Sequence, residues 1–389
     1  MNSTYNYNKV FAAACLGMFL FGAALISVGS FMPAIIQKFN FDTLQAGTLA
    51  SVLPAGILLG SLLFGPIVDR FSYKYLLAIC SIVFIAGMEG IAFANSLTGL
   101  QISFFFIGVG GGALNGGTNA LVADISVDSK KTGSANLSLL GVFFGIGALG
   151  MPVVLSLLSS ALSFEQIIKF IGLAVILPLM YFMATRFPAA KQTRVLSLKE
   201  SLKLAGDKKL LILAMFLFFQ SAIEGIANNW TTTFLQEQGG VDAKKALMAL
   251  SVFVASLTTA RLLLSVILRK QSPFLVLLFS ISLVFIGGVI LLIVSTFTAY
   301  LAGLVFVGLG VAAGFPVILG FVSELYHNAR GTAFSVAIFI GLLGNISINY
   351  LTGIVAHRFG IEKFPLILLL CALALFIITV TKLKIYHKK

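Results

Sequence analysis

Apolar runs of about twenty residues recur along the whole 389-residue chain, and this recurrence limits the possible folds more than any motif does. A helix rising about 1.5 Å per residue needs about 20 apolar residues to cross a hydrocarbon core about 30 Å thick. Twelve such segments can be placed, at about 10–36, 44–68, 74–95, 98–122, 132–160, 164–186, 209–235, 243–268, 273–295, 298–323, 331–356 and 362–384. Only 10% of the residues are charged, against about 25% in soluble domains. Lipid leaves no water to satisfy a backbone, so each run is expected to be a helix. The expected class is an all-α polytopic membrane protein.

The net charge of +13 does not point to nucleic acid, because the basic residues sit in the short connections between spans. Arg70, Lys74, Lys130, Lys131, Arg269, Lys270 and Arg330 lie on one side, with the basic connector after the sixth span and the tail from Lys382. Lys38, Lys169, Lys244, Lys245, Arg358 and Lys363 lie on the other, partly offset by Asp42, Glu165, Glu237, Asp242 and Glu362. The richer side is expected to be cytoplasmic, with both termini there and the chain in the cytoplasmic (inner) membrane. The first apolar run is longer than a signal-peptide core and reads as a retained span. Cys15, Cys80 and Cys371 fall inside spans without metal-ligand spacing, as core or lipid-facing residues do.

The only long connection, residues 187–208, separates an N-terminal six-helix bundle (1–186) from a C-terminal one (209–389). Its segment Leu196–Leu204 has the pattern of a short interfacial amphipathic helix. The halves also match at an offset of two hundred residues. Ser51-Val52 answers Ser251-Val252, and Asp69-Arg70 answers Arg269-Lys270. Gly108-Val-Gly110 answers Gly308-Leu-Gly310, and Val122-Ala-Asp124 answers Val322-Ser-Glu324. An internal duplication explains four matches in one register, and two repeated bundles imply a substrate site near the bilayer midplane.

Polar residues at helical spacing mark three spans. In the seventh, Gln220, Glu224 and Asn228 recur every four residues and form one stripe, followed by Asn229 and the sole tryptophan, Trp230. A carboxylate at bilayer depth costs about 2.5–3.5 kcal/mol on insertion scales, so it is expected to face a cavity. Asn115 and Asn119 are four apart in the fourth span, and Asn345 and Asn349 in the eleventh. Amides donate and accept together, which suits a polyhydroxylated solute, but each pair also fits a plain interhelical hydrogen bond. Trp230 fits either an aromatic platform for a sugar ring or an interfacial anchor. Glu89 in the third span is a further intramembrane acid, ranked below Glu224, and also fits a plain snorkelling position near the outer leaflet.

Between the second and third spans runs Gly65-Pro-Ile-Val-Asp69-Arg70-Phe-Ser-Tyr-Lys74. Here the chain resembles the major facilitator superfamily, whose signature in that loop is Gly-x-x-x-Asp-Arg-x-x-x-Lys/Arg. The resemblance implies that Gly65, Asp69, Arg70, Lys74 and Asp124 form a cytoplasmic gate, with Arg261, Glu324 and Arg330 as a weaker second-half counterpart. Leu114-Asn-Gly-Gly-Thr-Asn119, Phe143-Phe-Gly-Ile-Gly-Ala148 with Pro152, Glu224 with Asn229-Trp230, and Gly314-Phe315-Pro316 are similar to the fucose/glucose symporter branch. That likeness implies sugar uptake, often driven by protons. Two acids associated with coupling in fucose permeases are absent, since Gly29 and Asn115 stand in their places. Glu224 is then the candidate for a proton or sodium site, or else a hydrogen-bond acceptor for sugar.

The histidines have no metal spacing and no Walker-type loop is present, so metal enzymology and ATP-driven pumping are not expected. The expectation is a secondary transporter, not an enzyme, needing no cofactor, built as two pseudo-symmetric six-helix bundles. It moves a monosaccharide by proton-coupled uptake through alternating access, acting as a monomer in the bilayer. The expected ligands are Asn115, Asn119, Gln220, Glu224, Asn228, Asn229, Trp230, Asn345 and Asn349. The alternatives are an exporter of drugs or small amphipathic metabolites, a facilitative sugar uniporter, and a non-transporting sensor on the same fold.

Overall fold

A computed structural model describes residues 5–41, 43–129, 131–158, 161–189, 204–327 and 329–383. In it the apolar runs are helices: α1 (Tyr7–Phe39), α2 (Thr43–Arg70), α3 (Tyr73–Phe93), α4 (Leu97–Asp128), α5 (Gly133–Leu158), α6 (Phe164–Ala174) and α7 (Ile176–Ala184). The second half contributes α8 (Lys208–Glu237), α9 (Ala243–Ile267), α10 (Pro273–Ile293), α11 (Phe297–Val311), α12 (Gly314–Leu325), α13 (Arg330–Phe359) and α14 (Phe364–Lys382). With α6–α7 and α11–α12 each counted as one broken span, twelve spans among the described residues are long and apolar enough to cross a membrane. The amphipathic stretch Leu196–Leu204 and the last basic residues of the tail lie outside the described residues, apart from Leu204.

Local signals start and stop these helices. Asn6, Ser72, Ser96, Asp207, Asp242 and Thr296 each accept a first-turn N–H through the side chain. Ser163 and Gln166 form a reciprocal capping box at α6. Two spans break where proline interrupts the ladder. Pro178 follows the α6–α7 break, and Gly314 with Pro316 follows the gap after Val311. Proline has no N–H to donate and its ring crowds the carbonyl four residues back, so a helix reaching it must bend or stop.

The chain divides into two compact units. The first comprises Met1–Lys130, Phe143–Ser201 and Tyr326–Ser335, and the second Lys131–Val142, Leu202–Leu325 and Val336–Lys389. Each unit thus includes a short segment from the other half of the sequence.

In the first unit α2 and α4 touch backbone to backbone. A methyl added at Gly60 would come within 2.1 Å of the Val109 carbonyl, and one at Gly112 within 2.1 Å of the Ile57 carbonyl. Without a hydrophobic driving force between helices in lipid, small residues that permit such contact are what hold them together. Phe31 of α1 packs against Phe104 and Phe164, with ring centroids 6.5 and 5.7 Å apart.

The second unit repeats this packing two hundred residues on. Gly108 abuts the Leu53 carbonyl and Gly308 the Phe253 carbonyl; Gly110 faces that of Cys80 and Gly310 that of Ser280. Gly87 packs on Ile107 as Gly287 packs on Val307. Helix α3 starts at Tyr73 and α10 at Pro273, α4 at Leu97 and α11 at Phe297. The duplication read from scattered sequence matches is therefore a duplication of contacts.

Candidate functional site

Three polar clusters emerge, each described from residues of one unit. The most extended lies in the second unit, between α8 and α13. Asn349 Oδ1 accepts from Asn229 Nδ2 at 3.1 Å and from Trp230 Nε1 at 3.2 Å. Asn349 Nδ2 donates to the Asn345 carbonyl at 2.8 Å and to Asn345 Oδ1 at 3.0 Å. Asn345 Nδ2 continues to the Ser221 carbonyl at 3.1 Å. The chain of donors fixes both amides and the indole. Trp230 lies against Gly353 of α13, at van der Waals distance from where a Cβ would sit.

Gly225 makes this approach possible, because a Cβ there would lie 2.4–2.6 Å from the Asn345 amide atoms. Gly225→Ala is expected to swing that amide away, break its bonds to Ser221 and Asn349, and cost about 1–2 kcal/mol. Thermal unfolding of the purified variant measures the loss. Gly225→Ala/Asn345→Ala should recover part of it, since the shortened side chain clears the methyl. No loss in the single variant would mean that the amide is not held there.

Glu224, one turn before Asn228, is paired with Arg261 of α9, with Nη2 to Oε2 at 3.4 Å and side chains only 18% and 10% exposed. Arg261 lies six residues before the end of α9 (267 − 261), about 9 Å inside the helix, and not in a loop. The start of α5 lies against it. Ser138 Oγ donates to the Arg261 carbonyl at 2.6 Å, and a methyl at Gly141 would come within 2.8 Å of Arg261 Cδ. Asn228 Nδ2 is turned back to the Glu224 carbonyl at 2.9 Å. Gln220 is buried, and its Nε2 donates to the Val311 carbonyl at the break in the tenth span. Gln220 therefore caps backbone that the helix break releases.

In the first unit, Asn119 Nδ2 donates to the carbonyl and to Oδ1 of Asn115 at 2.8 and 3.1 Å, so this pair bonds within its own helix. The third cluster contains residues that the family resemblance assigns to a gate. Asp124 and Arg330 are 5% exposed each and form an ion pair, and Tyr73 donates its hydroxyl to Asp124 Oδ2 at 2.8 Å. Gly65 meets the backbone of Gly331, and Ser335 Oγ donates to the carbonyls of Ser61 and Leu62 at 2.6 and 2.8 Å. Nearby, Tyr5 donates to Asp128 Oδ2 at 3.1 Å; burial and that carboxylate push its phenol well above the usual range, so it remains a donor.

Arg70 is exposed over the Phe71 ring, Lys74 is half-buried and Glu324 is exposed. Asp69 lies in the last turn of α2, one residue before its final residue, Arg70. Sequence reasoning passed over Tyr73, Ser138, Gly141 and Ser221. Their only sequence signal is a small or hydroxylated residue within a span, and such residues are common there. Glu89 leaves Oε1 buried without a hydrogen bond, beside Gly172 of α6.

A family model described as Major Facilitator Superfamily matches residues 14–347. The chain belongs to that superfamily. It is a multi-pass membrane transporter, with the relatives and the fold of transporters and not of enzymes. The superfamily member is 22% identical over 354 residues to the glucose/mannose transporter GlcP of Bacillus subtilis (strain 168), covering 87% of each chain. It is 22% identical over 368 residues to the MFS-type transporter YfkL of the same organism, covering 91% of this chain and 90% of that one. Its fold is similar to that of the E. coli fucose:proton symporter FucP, with a TM-score of 0.80 at 19% identity, covering 96% of this chain and 98% of that one.

Proposed function

We propose that this transporter takes up a neutral polyhydroxylated solute, a hexose, by alternating access, and that a proton bound at Glu224 drives accumulation. One observation carries the reading. The acid of the α8 stripe is matched by Arg261, so α8 carries no unmatched acid there and its other polar groups are amides and an indole. A stripe without an unmatched acid gives no Coulomb preference to a cation, whereas amides both donate to and accept from hydroxyls. An exporter of amphipathic compounds would instead use an unpaired Glu224 among Phe and Met side chains. The names of the relatives support the sugar reading: GlcP transports glucose and mannose, and FucP is a fucose:proton symporter.

On this reading Asn229, Trp230, Asn345 and Asn349 bind the solute, with Asn228 and Gln220 as further α8 candidates. Asn115 and Asn119 are first-half candidates on grounds of amide chemistry. Proton binding at Glu224 replaces a charged partner of Arg261 by a neutral one and so ties occupancy to the ion pair. The six-plus-six division at 187–208, with both termini cytoplasmic, completes the proposal.

Proteoliposomes loaded with buffer and given labelled glucose, mannose, fucose or galactose test it. At least one hexose should accumulate above equilibrium under an inwardly directed proton gradient. Entry without accumulation would favour a uniporter, and no entry of any hexose would overturn the sugar assignment. Glu224→Gln should equilibrate its hexose without concentrating it; concentration at the wild-type level would remove Glu224 from coupling.

A further inference from the structure

Away from the polar clusters, the second unit holds a cavity of about 450 Å3, lined by apolar side chains and by one cation, Lys363. Its walls run along positions 348–359 of α13 and 366–371 of α14, with Lys363 just before α14, and Phe219 of α8 completes it. Leu351, Phe359 and Leu370 of this lining are 45%, 62% and 56% exposed, so the groove opens on the outer surface of the helices. The α13 wall covers eleven residue steps (359 − 348), about 16 Å, close to one leaflet of a hydrocarbon core about 30 Å thick. A hydroxylated solute finds no hydrogen-bond partner along such walls, whereas an acyl chain matches them in length and chemistry.

The mouth carries positive charge. His357 and Arg358 close α13, and Lys363 sits on the rim just before α14. Arg358 and Lys363 against Glu362 leave a formal charge of +1 (2 − 1) with histidine neutral. The turn between the helices keeps the acid back. Gly360 has φ +86, a conformation that favours glycine, and the Glu362 carboxylate folds so close over it that a Cβ would lie 2.0 Å from Oε2. Glu362 then reaches Lys363 only at 3.7 Å, with both side chains nearly half exposed. An exposed pair of that kind binds weakly and leaves the ammonium available to a stronger anion.

We propose that this groove binds one anionic diacyl phospholipid, with an acyl chain between α13 and α14 and its phosphate at Lys363. The charge at the mouth selects an anionic over a zwitterionic headgroup, since a basic residue near a membrane surface favours anionic lipid severalfold. The site is separate from the solute cluster and does not rest on the proposed function.

Native mass spectrometry of the full chain in a non-ionic detergent, titrated with phosphatidylglycerol or acyl-matched phosphatidylcholine, tests it. The wild type should retain one phosphatidylglycerol at about fivefold lower concentration than phosphatidylcholine. Lys363→Gln should bring that ratio close to one while leaving a lipid bound. Leu370→Trp, a substitution on the exposed rim, should fill the groove and remove the tight adduct of either lipid. Equal retention of both lipids by the wild type would overturn the proposal, as would a preference unchanged in Lys363→Gln. If Leu370→Trp does not fold, those two comparisons still decide the matter.

Discussion

Arg261→Gln is expected to lower stability by about 3 kcal/mol and to reduce uptake at least tenfold, because it leaves Glu224 without its cation in a largely buried setting. Breaking one side of a buried pair costs about 3–5 kcal/mol, while replacing both partners by neutral groups costs far less. The double variant Glu224→Gln/Arg261→Gln should therefore be more stable than Arg261→Gln alone. Thermal unfolding of the four proteins gives the coupling energy, expected to be about 1–3 kcal/mol for two groups in contact. Gly141→Ala should act on the same pair more gently, since its methyl would press on Arg261 Cδ and not remove the guanidinium. Additive single-variant effects would show that the 3.4 Å contact contributes nothing.

Asp124→Asn is expected to cost about 3–5 kcal/mol, since it removes the charge from one side of an almost wholly buried ion pair. Tyr73→Phe removes one hydrogen bond to a charged acceptor and should cost less, about 1.5–3 kcal/mol. The order Asp124→Asn worse than Tyr73→Phe, measured by thermal unfolding, distinguishes an ion pair from a tyrosine-anchored carboxylate. The reverse order would mean that Arg330 is stabilised elsewhere. The charge exchange Asp124→Arg/Arg330→Asp should recover part of the loss if Coulomb attraction dominates.

Much of the fold was legible because its causes are local. Hydrophobic length places the spans, since each apolar run long enough to cross a bilayer is a helix. Helices run beyond the apolar windows at several ends, as α4 does to Asp128, because polar residues can continue a helix into the headgroup region. The breaks in the sixth and tenth spans were missed although Pro178, Gly314 and Pro316 were visible. Apolar windows average over a proline, whereas the hydrogen-bond ladder does not.

The site was legible by residue type and not by pairing. The polar stripe on α8 and the asparagine pairs stand out because polar side chains are costly in lipid, wherever their partners lie. Arg261 shows what sequence left open: the family resemblance implied a place at the gate, and its partner, a glutamate 37 positions earlier on another helix, was not visible. Asp124 and Arg330, 206 positions apart, were both assigned to the gate, but their union needs Tyr326–Ser335 to pack in the first unit.

By itself the sequence determined the membrane class, the twelve spans, the repeat at two hundred residues and the kinds of polar group buried within it. Tertiary structure alone decided that Gln220 caps a helix break, that Asn349 holds Trp230, and that Glu224 faces a guanidinium. The reason is physical. Burial and helix formation depend on a residue and its near neighbours, but pairing depends on the rotation and approach of helices set by glycines far apart in the chain.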